Sequence, residues 1–294
     1  MGSGVDGGEA SVLAAAAHLV WLRRRLMWRV YGVHLLLAFL GTLPAAVGVS
    51  RILDHSLAAQ GLLTRFDAAL FAELLAQPEA SLAASVSASA ASGLLFLLAM
   101  LFLTGGILTA YLRDHALTAA EFYGASGAHF WRFARLSLML LLALVPVGIV
   151  GRLLGLGASR VAETSAQETA GLWASAGVAL VVAVLLMAVR LLFGMAQVRA
   201  VAEAEPAMRR ALAGAFRVTR GRFFELAWIY LRISLVAAAG LGLILFVWVS
   251  FVRPQWVAAS FLLGQAGSIV WIATRLWQRA AETVWYRRRF PASA

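Results

Sequence analysis

Leu172-Trp-Ala-Ser-Ala-Gly-Val-Ala-Leu-Val-Val-Ala-Val-Leu-Leu-Met-Ala-Val-Arg-Leu-Leu-Phe-Gly-Met195 decides what kind of protein this is. Its only charge is Arg190, near one end. A helix needs about 20 apolar residues to cross roughly 30 Å of hydrocarbon, and this stretch supplies them. Five more stretches match it: Leu26–Val49, Ala90–Leu112, Leu136–Leu156, Leu226–Val249 and Val257–Trp277. Buried helices of soluble proteins rarely stay apolar on every face. The sequence therefore predicts an all-α polytopic membrane protein with six transmembrane helices.

Composition agrees. The chain is 62% hydrophobic, where soluble globular domains run at roughly 45–50% apolar. It contains no lysine, asparagine or cysteine. Lysine and asparagine codons are rich in A and T, so their absence points to a high-GC genome. The same absences exclude disulfides, thiolate nucleophiles, Cys-ligated metals, Schiff-base lysines and N-glycosylation sequons.

The net charge of +11 is carried by arginine, and its placement matters more than its size. With the N-terminus inside, the inner segments hold seventeen arginines: Arg23, Arg24, Arg25, Arg29, Arg113, Arg132, Arg135, Arg199, Arg209, Arg210, Arg217, Arg220, Arg222, Arg279, Arg287, Arg288 and Arg289. The outer segments hold Arg51, Arg65, Arg152, Arg160 and Arg253. This asymmetry predicts both termini in the cytoplasm and attraction of the inner face to anionic lipid headgroups. It argues against nucleic acid as the partner.

The expected layout has three parts. Residues 1–25 form a cytoplasmic segment, 26–285 a six-span membrane domain, and 286–294 a basic cytoplasmic tail. Met1–Ala10 is Gly-rich and reads as unstructured. Ser11–Leu22 reads as a short interfacial helix before the Arg23–Arg25 cluster. A cleaved signal peptide would have a shorter charged region and a shorter apolar core. In the outer loop, Ser50–Ser89, apolar Leu63, Phe66, Leu70, Phe71 and Leu74 recur at helical spacing. They predict an amphipathic helix over Leu62–Leu75. Ala80–Ser92 reads as a loop or a close-packing helix.

Two inner segments look alike. Ala119-Ala-Glu-Phe-Tyr-Gly-Ala-Ser-Gly-Ala-His-Phe-Trp131 aligns with Ala213-Gly-Ala-Phe-Arg-Val-Thr-Arg-Gly-Arg-Phe-Phe-Glu225, matching Phe122 with Phe216, Gly127 with Gly221 and Phe130 with Phe224. Each reads as an amphipathic helix, a glycine turn and interfacial aromatics that open the next span. Arg210-Ala-Leu-Ala-Gly-Ala-Phe-Arg-Val-Thr-Arg-Gly-Arg-Phe-Phe-Glu-Leu226 and Glu282-Thr-Val-Trp-Tyr-Arg-Arg-Arg289 resemble segments of six-span bacterial membrane proteins. These are similar to the membrane domain attached to some glycerophosphodiester phosphodiesterases. The resemblance covers about the last third of the chain. It implies an architecture in a bacterial cytoplasmic membrane. The phosphodiesterase chemistry of those proteins lies in a separate soluble domain that this chain lacks.

Few residues carry recognisable chemistry. Gly124-Ala-Ser-Gly127 resembles the serine motif of rhomboid-type intramembrane proteases. Those take their histidine from a later span, and no histidine follows His129 here. A turn at a helix end is the plainer reading. His18, His34, His55, His115 and His129 show no His-x-x-x-His spacing. His34 reads as a packed residue within the first span. No cofactor and no metal site is expected. No acid is expected deep in a span, which argues against an acidic proton relay.

The most pointed constellation is Arg190, Arg232 and Arg275. Each comes from a different span of the second half, one to two turns from the inner end. Two readings stand. The three side chains snorkel to the inner headgroups, or they share a pocket for a phosphate-bearing anionic lipid headgroup. Small residues mark expected helix contacts: Gly105, Gly106, Gly148, Gly151, Gly155, Ala237, Ala238, Ala239, Gly240 and Gly242. Together these features point to a non-enzymatic inner-membrane protein, an accessory or scaffold subunit contacting lipids and other membrane subunits. The alternative is a transporter-type protein moving a lipid or other amphiphile.

Overall fold

The computed structural model describes residues 4–54, 82–165, 169–253 and 256–290. They form eight helices: α1 (Gly4–Leu22), α2 (Arg24–Asp54), α3 (Leu82–Leu112), α4 (Ala119–Thr164), α5 (Ala170–Ala202), α6 (Met208–Gly221), α7 (Phe223–Phe251) and α8 (Val257–Arg289). Six of them, α2 to α5, α7 and α8, are long and apolar enough to cross a membrane. Every expected span falls within one of these six. The chain is an all-helical, multi-pass membrane protein. Its lipid-facing character shows on α4, where Leu138, Leu141, Leu142 and Val145 are exposed. A contiguous apolar face of that kind is rare on soluble proteins.

The ends differ from expectation. The helix α1 begins at Gly4, inside the segment read as unstructured. It is held by burial of Val12 and Ala16 and by the Trp277 indole, which donates to the Leu13 carbonyl at 3.0 Å. The expected helix over Leu62–Leu75 lies outside the described residues. Helix α8 runs about three turns past Trp277, where the sixth span was expected to end.

Helix α4 is the largest departure. It is 46 residues long, about 69 Å at 1.5 Å per residue. The expected inner segment and the third span are therefore one helix. Its start is set by a capping box. Thr118 accepts from the Glu121 backbone N–H at 3.2 Å, and Glu121 accepts from the Thr118 N–H at 2.8 Å. No turn occurs at Gly127. A mid-helix glycine costs about 1 kcal/mol, and packing here outweighs that. Phe122, Ser126 and Phe133 are buried on one face. A Cβ on Gly106 would fall 2.4 Å from Ser126 Oγ, and one on Gly105 would fall 2.9 Å from His129 Cβ.

The second inner segment does break at its glycine. Helix α6 ends at Gly221, and Arg222 (φ −142°) caps it before α7 begins. Met208, Ala211, Ala215 and Thr219 are buried, while Arg209, Arg210, Arg217 and Arg220 are exposed. Phe216 is exposed, whereas its counterpart Phe122 is fully buried. The two segments do not share a backbone path, so the repeat does not extend to structure.

The chain divides into two compact units. The first contains 1–22, 104–236 and 274–294, and the second contains 23–103 and 237–273. Within the first, a Cβ on Gly151 would fall 3.2 Å from Val182 Cγ2, but one on Gly148 or Gly155 would meet nothing within 4 Å. Within the second, a Cβ on Gly41 would fall 3.3 Å from Ser92 Cβ and one on Gly240 3.1 Å from Val270 Cγ1, while one on Gly242 would meet nothing within 4 Å. Close approach therefore accounts for only some of the expected small-residue contacts.

Candidate functional site

A polar seam runs through the first unit where α5, α7 and α8 contribute their Arg-bearing turns. On α5, Arg190, Gly194 and Gln197 follow at i, i+4 and i+7, which places them on one face. On α8, Arg275, Arg279 and Glu282 do the same. Helix α7 adds Tyr230 and Ser234.

Glu282 is the centre of the seam and is 1% exposed. Its Oε2 accepts from Arg279 Nη1 at 3.0 Å, and its Oε1 accepts from the Tyr230 hydroxyl. That carboxylate lies directly over α5. A Cβ at Gly194 would stand 2.2 Å from Glu282 Oε1, so this position has room for hydrogen alone. Removing one partner of a buried ion pair costs about 3–5 kcal/mol, because the other charge is stranded.

Arg190 and Arg275 lie beside this pair. They are close enough to repel one another, and Arg190 also acts on Tyr230. Arg275 donates to Gln278 Oε1 at 3.3 Å, and Gln278 donates on to Ser234 Oγ at 3.3 Å. Arg190 Nε and Gln197 Oε1 are buried without a hydrogen-bond partner. The seam thus holds three guanidinium groups and one carboxylate, and that carboxylate is bound by Arg279 and Tyr230.

Nearby acids have their own partners. Glu225 accepts from Arg289 at 2.7 Å and from the Trp285 indole at 2.8 Å, with Arg222 at 3.5 Å. Glu203, beyond the end of α5, binds Arg199 at 2.7 Å and accepts from the Tyr286 hydroxyl. Burial pushes the Glu203 carboxyl up, but those two hydrogen bonds outweigh it and hold it below the usual range. Asp114 pairs with Arg287 at 3.1 Å.

Of the three arginines singled out in the sequence, the structure brings Arg190 and Arg275 together. Arg232 lies with its guanidinium 5.0 Å from the Trp228 ring centroid, one turn back on its own helix. Arg190 and Arg275 sit about three to four turns from their helix ends, deeper than expected, because α5 and α8 extend further. Sequence reasoning missed Gly194, Tyr230, Arg279 and Glu282. The signal for Glu282 was its i+7 spacing from Arg275, hidden by ending the sixth span at Trp277.

The other sequence candidates are packed side chains. Ser126 donates to the Phe122 carbonyl at 2.9 Å, and His129 stacks on Phe133 with ring centroids 5.8 Å apart. Among the described residues no three His, Asp or Glu side chains converge as metal ligands would. No family model, curated protein or solved structure matches the chain.

Proposed function

We propose that this protein is a non-catalytic membrane component that holds a phosphate-type anion, foremost a lipid headgroup, at Arg190 and Arg275. The carrying observation is the buried Arg190 Nε without a partner, beside a second arginine, in a seam whose carboxylate is already bound. Arg190 is half-buried and Arg275 exposed; neighbouring like charges repel, and a bound anion offsets that repulsion. Arginine forks match phosphate oxygens. In this reading the protein sits in a bacterial cytoplasmic membrane with both termini in the cytoplasm, so the seam lies toward the inner leaflet. The seam's fixed parts, Gly194 and the Glu282 pair, favour holding a headgroup over moving one, and suit an accessory or scaffold subunit.

Native mass spectrometry of delipidated protein tests this. Dioleoyl phosphatidylglycerol should rebind to the wild type, and Arg190→Gln with Arg275→Gln should lower rebinding about tenfold, the worth of one charge-assisted contact. Arg217→Gln with Arg220→Gln on the exposed face of α6 should leave it unchanged. Equal loss in both pairs would reduce the effect to general surface charge. Competition by inorganic phosphate would identify the free anion rather than the lipid as the ligand.

A further inference from the structure

The second unit contains a cavity of about 760 Å³, within the range of about 300–1,000 Å³ that small-molecule sites occupy. Tyr31, His34, Gly93, Phe96, Gly264 and Gln265 are among its lining residues. Membrane helices use glycine to let backbones approach. Here, a Cβ on Gly93 or Gly264 would meet nothing within 4 Å. These glycines leave space rather than close it.

The lining is mostly apolar and aromatic, carries no Arg, Asp or Glu, and includes Ser92 and Ser268, the latter donating to the Gly264 carbonyl at 3.0 Å. Its hydrogen-bonding atoms are specific. His34 Nδ1 is 3.0 Å from the Val30 carbonyl, which can only accept, so in the neutral imidazole Nδ1 carries the proton and Nε2 is the acceptor. The Tyr31 hydroxyl donates to Gln265 Oε1 at 2.8 Å, which leaves the Gln265 amide NH₂ as a donor. Gly264 lies about 10 Å and Trp271 about 21 Å along α8 from Val257. Counted from Val257 as the start of the apolar run, the cavity lies within the first roughly 30 Å of α8, the length that crosses the hydrocarbon.

We propose that this cavity binds a neutral lipophilic alcohol, its hydroxyl donating to His34 Nε2 and accepting from the Gln265 amide. A hydroxyl is a small neutral group that satisfies one acceptor and one donor together. A charged headgroup has no counter-charge in this lining, and its burial would be uncompensated. The apolar tail, isoprenoid or acyl, lies along Phe96 and the open glycine faces. The site is independent of the arginine seam and shares no residue with it.

The test is photolabelling of the full chain in phosphatidylcholine nanodiscs. Two probes are used, geranylgeraniol and dioleoylglycerol, each with a diazirine in the tail. At least one should label peptides of α2 and α8 that border the cavity, and which one does identifies the tail. Its methyl ether, which cannot donate, should label about tenfold less, the worth of one to two hydrogen bonds. His34→Leu with Gln265→Leu should cause a similar loss, and Gly264→Phe should abolish labelling by filling the space. Should Gly264→Phe not fold, Gly93→Leu takes its place, and the leucine pair keeps the volume. Equal labelling by alcohol and ether overturns the proposal, as does wild-type labelling in the filled variant. Labelling by neither alcohol, or stronger labelling by geranylgeranyl phosphate, overturns it too.

Discussion

Gly194 and Gly264 are both glycines in apolar helices, yet their surroundings are opposite. A methyl group at Gly194 would strike the Glu282 carboxylate at 2.2 Å, whereas one at Gly264 would meet nothing within 4 Å. In the first unit a glycine makes room for a buried ion pair. In the second it borders the open cavity lined by Tyr31, His34 and Gln265. A small residue in a membrane helix therefore says only that volume is kept free. What takes that volume depends on the chemistry facing it: guanidinium, phenol and carboxylate in one unit, neutral amide, imidazole and aromatics in the other.

Removing the acid breaks this contrast most strongly. Glu282→Ala strands Arg279 and leaves the Tyr230 hydroxyl without its acceptor. It should destabilise the protein by about 3–5 kcal/mol, read as a large drop in Tm by scanning fluorimetry in mild detergent. A Tm near that of the wild type would mean that water or another group solvates Arg279, and that the seam is not dry. Gly194→Ala tests the same seam from α5. Displacing the carboxylate from its two donors should cost about 1–3 kcal/mol, and combining it with Glu282→Ala should add little, since both act on one contact.

The acid limb sharpens the comparison further. The Glu203 carboxyl is held below its ordinary range in the folded state. Its contribution is therefore fully present above the unfolded pKa and is lost as pH falls through the lower folded value. Tyr286→Phe removes one of the donors, so the folded pKa should rise toward the unfolded one and the pH dependence of Tm below about pH 5 should flatten. An unchanged profile would assign the acid sensitivity to other carboxylates. The smallest effect is expected at Gly264→Ala. With open space around it and ordinary helical backbone, alanine should raise stability by up to about 1 kcal/mol through helix propensity alone. A fall in Tm there would show that the cavity closes around this position in the membrane.

Several features were legible in one dimension. The six spans were read from apolar length, and Arg190 and Arg275 stood out as charges inside apolar runs. The capping box at Thr118 and Glu121 is equally legible, whereas Gly124 and Gly127 read as a turn. A glycine ends a helix only when nothing rewards its continuation, and Phe122, Ser126 and His129 pack on Gly105 and Gly106. Gly221 has no such neighbour, and the helix breaks there. Two segments with matching letters therefore take different paths.

The division has a physical reason. Bilayer thickness is an external ruler, so a run of about 20 apolar residues declares a membrane helix whatever the rest of the chain does. Sequence alone therefore determined that this protein crosses a membrane on six helices. Which groups meet across helices is set by helix rotation and neighbour, and one helix's periodicity does not name the residue on the next. The Arg279–Glu282 pair is an i, i+3 contact within α8, but only the tertiary structure decided that this carboxylate is buried against Tyr230 of α7 and the bare backbone of Gly194 on α5. It likewise decided that Gly93 and Gly264 open onto a cavity, because an empty volume belongs to no single segment.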